Sequence, residues 1–172
     1  VVDSGKKCTT FTAEFKKAMS YPIGQYECKL DSKGRLMMPS YCKEQFGAQA
    51  DEGFVLRPGS FNKCLELYTY ADWERIQSKL RTLNPFVRAN QDLLRKYNSG
   101  AMVAKLDATG RLQIPKMLVE KGGLDKDVVL TSLTVKMEIW DKTAYEEAVN
   151  SIDAEQFEEL TAETLSNLNF DD

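Results

Sequence analysis

Arg35 and Arg111 occupy the same place in two copies of one pattern, "KLDSKGRLMMP" at 29–39 and "KLDATGRLQIP" at 105–115. Seven of the eleven positions are identical. A guanidinium is a planar fork of donors on a long stem, suited to a phosphate or to the O6/N7 edge of guanine. An aspartate stands four residues before each arginine, Asp31 and Asp107. That spacing also suits an Asp–Arg ion pair bracing a turn, and the two uses are compatible. Lys33, at the apex of the first turn, is a candidate phosphate contact or an ordinary solvated lysine. Lys29 and Lys105 precede the turns on the polar strand face and are further candidates, although strand lysines commonly do no more than stay wet.

The remaining chemical inventory is sparse. The chain has no histidine, which removes Ser-His and Cys-His nucleophilic pairs, imidazole bases and most zinc sites. Its four cysteines, at 8, 28, 42 and 64, form no CxxC pair and are read as reduced thiols. No phosphate-binding glycine loop such as GxxxxGK is present. Asp31 and Asp107 as paired catalytic carboxylates are already accounted for by turn chemistry. No catalytic residue, metal, cofactor or small-molecule substrate is therefore expected. No apolar run approaches the roughly 20 residues that span a bilayer, and the first 20 residues lack the apolar core of a signal peptide. No membrane partner is expected, and the cytoplasm is.

The net charge of −3 hides an asymmetry. Residues 146–172 hold nine of the 26 acidic residues and none of the 23 basic ones, leaving 17 acidic against 23 basic before them. Such a split is compatible with nucleic-acid binding by the body, and equally with a solubilising tail. A sharper possibility is a tail that screens the basic face.

The elements that position the repeated arginines follow from local chemistry. "YECKL" alternates, with Tyr26, Cys28 and Leu30 on one side of a half-buried strand. In "DSKG", Asp31 can accept from a backbone N–H two residues on, and Gly34 permits the left-handed conformation that reverses the chain into a hairpin. "RLMM" returns, Pro39 stops it, and "PSYCKEQFG" reads as a short helix closed by Gly47. The second copy repeats this with "MVAKL", "DATG" carrying Asp107 and Gly110, "RLQI", and "PKMLVEKGG" closed by Gly122 or Gly123.

Downstream, "GFVLRPG" matches "DVVLTSL" as β-rich runs. Leu65, Leu67, Met137 and Ile139 alternate with Glu66 and Glu138, predicting strands with one buried face. Each runs into a helix, the first capped through Thr69 and Asp72 and the second by Asp141. Between the halves, Asn84–Pro85 predicts a helix start, "NSG" its end, and Phe86, Ala89, Leu93 and Tyr97 one apolar stripe. Val87 and Leu94 widen that stripe enough to serve a neighbouring subunit. In the tail, Ile152, Phe157, Leu160, Leu165 and Leu168 have loosely helical spacing.

The paired D-x-x-G-R turns, each followed by leucine and proline, resemble the MraZ family, as do "LYTYADWE", the "NP" opening the linker and "EIWD". The likeness covers roughly residues 21–160. It implies an α+β fold of two tandem, pseudo-symmetric swapped-hairpin halves of the SpoVT/AbrB type, forming a β-barrel flanked by helices. It implies a DNA-binding transcriptional regulator, acting as a repressor on the promoter of its own division and cell-wall operon. Such proteins recognise repeated boxes of double-stranded DNA as ring-like homo-oligomers, here in the cytoplasm at the nucleoid. Under this resemblance Arg35 and Arg111 match the motif arginine and, with Lys33, Lys29 and Lys105, become the expected DNA contacts. Asp31, Gly34, Asp107 and Gly110 are expected to hold the turns. The alternative function is an oligomeric protein-interaction module with secondary DNA binding. The expected divisions are an N-terminal extension at 1–20, halves at 21–83 and 101–150, a linker helix at 84–100 and an acidic tail at 151–172. The family pattern begins near "MSYPIG", which makes Met19 a candidate native start, and no function is taken from the residues before it.

Overall fold

The computed structural model describes residues 21–165. The expectations placed on the extension at 1–20, on Cys8, on Met19 and on Leu168 lie outside the described residues. In chain order the first half runs β1 (Gln25–Lys29), β2 (Arg35–Met37), α1 (Ser40–Phe46), α2 (Ala48–Glu52), β3 (Phe54–Pro58), β4 (Leu65–Thr69) and α3 (Tyr70–Leu80). Helix α4 (Arg88–Asn98) leads to β5 (Met102–Ala104), β6 (Arg111–Gln113), α5 (Lys116–Gly122), β7 (Asp127–Leu133), β8 (Lys136–Asp141), α6 (Lys142–Asn150) and α7 (Ala154–Leu165).

The class is α+β, with antiparallel strand pairs. The main sheet has the order β1-β7-β8-β4-β3-β5, and β2 pairs with β6 in a separate ribbon. The first strand of each half lies against the other half: Cys28 is opposite Val128, and Ala104 is opposite Phe54. Strand β4 meets β8 with Glu66 opposite Glu138, and β2 meets β6 with Leu36 opposite Leu112. Equivalent residues thus face one another about a pseudo-twofold axis.

This pairing differs from the local hairpin expected at each turn. The turns do close, but only the bridges Leu30–Leu36 and Leu106–Leu112 form before the strands part. The gain lies in burial. Pairing across the halves puts Leu36, Met38, Leu112 and Ile114 into one core with Phe54, Leu56, Leu67, Leu118, Leu130 and Ile139. The turn glycines seal the exchange: Ile114 N–H donates to the Gly34 carbonyl at 2.8 Å, and Met38 N–H to that of Gly110 at 3.1 Å. Among the described residues the paired strands form an open sheet, with β1 and β5 at its edges, rather than a closed ring.

A second correction concerns the central strands. Glu66 and Glu138 were expected on a wet face, yet Glu66 is 1% exposed and Glu138 is buried too. Covering groups explain this. Arg57, 4% exposed, donates through Nη1 to Glu66 at 2.5 Å, Lys136 Nζ reaches the same carboxylate at 2.6 Å, and the Tyr68 hydroxyl donates at 2.9 Å. Lys136 also pairs with Glu138, whose other oxygen accepts from Trp140 Nε1 at 2.8 Å. The Arg57 guanidinium lies 4.2 Å from the Tyr97 ring centroid, and Tyr97 stacks on Trp73. Aromatics and cations therefore make the second face dry.

The linker helix starts later than Asn84–Pro85. The Asn84 side chain accepts from Phe86 N–H at 2.9 Å, which satisfies a turn locally, and α4 begins at Arg88. Phe86 consequently stands outside the helical stripe and is 93% exposed. Helix α2, between Gly47 and Gly53, had no counterpart in the sequence reading. The predicted caps are in place: Thr69 Oγ1 accepts from Asp72 N–H, and Asp141 accepts from Ala144 N–H. Of the two glycines proposed to close α5, Gly123 does so, in the left-handed conformation. Cys28, Cys42 and Cys64 are free thiols, and burial pushes the Cys42 thiol up to about 11.

Candidate nucleic-acid interface

Each repeated turn is a compact carboxylate-centred unit. Asp31 Oδ1 accepts from the N–H groups of Lys33 at 2.9 Å and Arg35 at 3.0 Å. Its Oδ2 accepts from Arg35 Nε at 2.8 Å and lies 2.7 Å from Nη2. Asp107 repeats the arrangement with Thr109 N–H at 2.8 Å, Arg111 N–H at 3.1 Å and Arg111 Nε at 3.0 Å, and adds the Thr109 hydroxyl at 2.6 Å. The Arg35 side-chain bond and the backbone donors hold the Asp31 carboxyl down at about 2. The Thr109 hydroxyl, then the backbone, lowers that of Asp107 further. For a depressed carboxylate the stabilisation is complete above its ordinary pKa and is lost as pH falls through the folded value. Both braces are therefore intact throughout the neutral range.

The ribbon orients the arginines. Leu36 and Leu112 point into the core, so Arg35, Met37, Arg111 and Gln113 alternate onto the opposite face. Arg35 pairs with Gln113, and Arg111 pairs with Met37. The two arginines are diagonal neighbours, roughly 7–8 Å apart at Cα by ordinary sheet geometry. Both side chains stay partly exposed, where an Asp–Arg pair contributes little net stability. Arg35 and Arg111 can thus exchange an intramolecular carboxylate for an external anion.

The lysines distribute unevenly. Lys33 is exposed at the first turn, where its carbonyl accepts from Gln113 Nε2 at 2.8 Å. Lys29 and Lys105 are also exposed, but Lys29 ends β1, opposite Asp127, and Lys105 follows β5 beside Gly53; neither belongs to the ribbon. The sequence reading missed two others. Lys43 of α1 lies over the second turn, its Nζ against Gly110, and Lys116 of α5 borders a depression of about 450 Å³ beside the Asp31–Gly34 turn. Each helix flanks the turn of the other half, an arrangement no local pattern announces.

The turn glycines are not equivalent. Both adopt left-handed φ, 75° at Gly34 and 83° at Gly110, which costs an L-residue roughly 1–2 kcal/mol. A Cβ on Gly34 would lie 2.7 Å from the Ile114 carbonyl oxygen, whereas one on Gly110 would meet only the movable end of Lys43. Gly34→Ala is therefore expected to destabilise more than Gly110→Ala in paired urea melts. Equal losses would contradict the close approach.

A family model described as "MraZ protein, putative antitoxin-like" matches residues 23–96 and again 98–168. The chain belongs to the MraZ family. A relative from Flavobacterium psychrophilum, "Transcriptional regulator MraZ", is 44% identical over 154 residues, 90% of this chain and 98% of its own. A relative of the same description from Christiangramia forsetii is 40% identical over 149 residues, covering 87% of this chain and 96% of its own. Another from Thermoanaerobacter is 37% identical over 147 residues, 86% of this chain and 98% of its own. The two matches of the MraZ model each include one copy of the Asp–Arg turn. Among the described residues no helix is long and apolar enough to cross a membrane, and no cluster of three or more potential metal ligands occurs.

Proposed function

We propose that this chain is a sequence-specific DNA-binding transcriptional regulator, a repressor of the division and cell-wall gene cluster that includes its own operon. The observation that carries the reading is the ribbon: two braced arginines on one exposed face, related by the pseudo-twofold, with cationic side chains at both turns. The names of the MraZ relatives agree with it. Arg35 and Arg111 read or clamp the duplex, and Lys33, Lys29 and Lys105 contact phosphate, joined by Lys43 and Lys116. Asp31, Asp107, Gly34 and Gly110 hold the turns. The cross-half strand exchange supports the swapped-hairpin halves of the SpoVT/AbrB type.

One protomer neutralises few phosphates, and each changes the slope of log K against log salt by about −0.9, so a lone protomer binds weakly. A homo-oligomer on repeated promoter boxes makes the second contact intramolecular and gains roughly 10²–10⁴-fold. The protein then works in the cytoplasm, at the nucleoid. The deciding experiment is fluorescence anisotropy with the chain's own upstream DNA against scrambled DNA across a salt series. Absence of promoter preference would overturn the reading. A second reading, an oligomeric interaction module with secondary DNA binding, is favoured by the exposed Phe61 and Phe86. An oligomer without DNA affinity would establish it.

A further inference from the structure

The ribbon joins two copies of one motif, yet its exposed face is not chemically symmetric. Four side chains share that face: Arg35 lies opposite Gln113, and Met37 opposite Arg111. The arginines are equivalent, so Met37 and Gln113 are equivalent too, each two residues beyond its motif arginine. Both are exposed, Met37 at 51%. One carries a thioether and the other an amide.

Gln113 is held in one orientation. Its Nε2 donates to the Lys33 carbonyl at 2.8 Å and approaches the Ile114 carbonyl at 3.4 Å. A carbonyl oxygen only accepts, so the NH2 end of the amide must face these two groups. Oε1 is the end left over, and it makes no hydrogen bond among the described residues. Met37 has no N–H with which to hold the Thr109 carbonyl in the same way. The surroundings of the two turns differ as well. Gln113 Nε2 and a Val119 methyl stand nearest Gly34 after the Ile114 carbonyl, whereas the Lys43 amine stands against Gly110. The two ends of the ribbon therefore present different chemistry.

A two-stranded ribbon fits the major groove, where each base pair shows its own pattern of donors and acceptors. A glutamine with both amide atoms free pairs with N6 and N7 of adenine. Gln113 lacks that option, because its NH2 is engaged at the turn. It offers an acceptor alone. An acceptor suits the exocyclic amino groups, N6 of adenine and N4 of cytosine, and opposes O6 of guanine and O4 of thymine. Met37 offers apolar contact only, which suits the methyl group of thymine.

We infer that Gln113 is a specificity-determining residue that selects an amino base, adenine or cytosine, over a keto base on the strand edge it faces. Met37 makes no such selection at the symmetry-related position, so the two halves of the DNA site differ there. This assignment rests on the DNA-binding reading proposed above and adds the base class that one half of the site carries. Gln113 is directly across the ribbon from Arg35 and two residues along the strand from Arg111, so it addresses a base pair close to those the arginines meet.

The test is competition anisotropy with the chain's own promoter box, each base pair replaced in turn by the other three. Wild type is expected to show one position at which adenine and cytosine on one strand outbind guanine and thymine by roughly 5- to 150-fold. Gln113→Met is expected to erase that preference while the pattern at the other positions persists. Met37→Gln is expected to shift the symmetry-related position towards adenine and cytosine. Equal weakening at every position in Gln113→Met would mark a residue that only braces the turn, and would overturn the assignment. Should Gln113→Met lose its fold by circular dichroism, Met37→Gln, at its exposed site, decides alone: a gain of amino-base preference supports the assignment, and no gain overturns it. Wild type without preference for promoter over scrambled DNA refutes the regulator reading and this assignment with it. A wild-type preference whose base pattern neither variant alters refutes the assignment alone.

Discussion

With Arg35 and Arg111 both replaced by alanine, the chain is expected to lose its preference for promoter over scrambled DNA while keeping its fold. The fold survives because both side chains lie on the exposed face of the ribbon and their ion pairs with Asp31 and Asp107 are surface pairs. The turns also retain the backbone N–H donors to each aspartate and the bonds from Gly34 and Gly110 N–H. Binding suffers because a bidentate arginine on guanine contributes about 1–3 kcal/mol of discrimination, roughly 5- to 150-fold for each site. The salt series separates two mechanisms. If the arginines meet only phosphate, preference persists and the salt slope falls by about 0.9 for each lost contact. If they meet base edges, preference itself collapses. Unchanged preference and slope in a folded double variant would place the interface away from the ribbon.

The largest stability effect is expected at Glu66. Its carboxylate holds Arg57, Lys136, the Tyr68 hydroxyl and the Ser60 N–H between two covered faces of the sheet. Burial pushes this carboxyl up, but the Lys136 ammonium and the Ser60 N–H outweigh it, and the net displacement is downward. Glu66→Ala strands a buried guanidinium, which typically costs about 3–5 kcal/mol. Domains of this kind are stable by about 5–15 kcal/mol, so the variant loses a large fraction of its margin and its Tm falls by roughly 10 °C or more. Replacing both partners, Arg57→Met with Glu66→Leu, should destabilise less than Glu66→Ala alone, since no uncompensated charge remains. A double variant as unstable as the sum of its singles would show that packing, and not charge, holds this region. The sign in acid follows from the depressed carboxyl: the contribution of Glu66 is complete above its ordinary pKa and is lost as pH falls through the folded value. Glu66→Gln should therefore flatten the acid limb of the stability profile.

Much of the local structure was legible in the residues alone. The doubled D-x-x-G-R turn was readable because an aspartate reaches the N–H groups two and four residues on, and glycine alone takes left-handed φ without strain. The Asp–Arg braces, the caps at Thr69 and Asp141 and the left-handed close of α5 are all decided within five residues. Family membership was legible for the same reason, since the motifs that carry it are short and local. The start of α4 was misplaced because Asn84 satisfies a turn as readily as it caps a helix.

Tertiary structure decided which strands pair, which charges are buried and what the arginines share. A strand edge offers the same donors and acceptors to any partner, so nothing local distinguishes β1 beside β2 from β1 beside β7. The choice comes from burying Leu36 and Leu112 together in a core drawn from both halves, an interaction between residues far apart in the chain. The burial of Glu66 depends likewise on Lys136 and Arg57 arriving from other strands. The common face of Arg35 and Arg111 exists only because β2 and β6 meet, and it is set by the register of that ribbon.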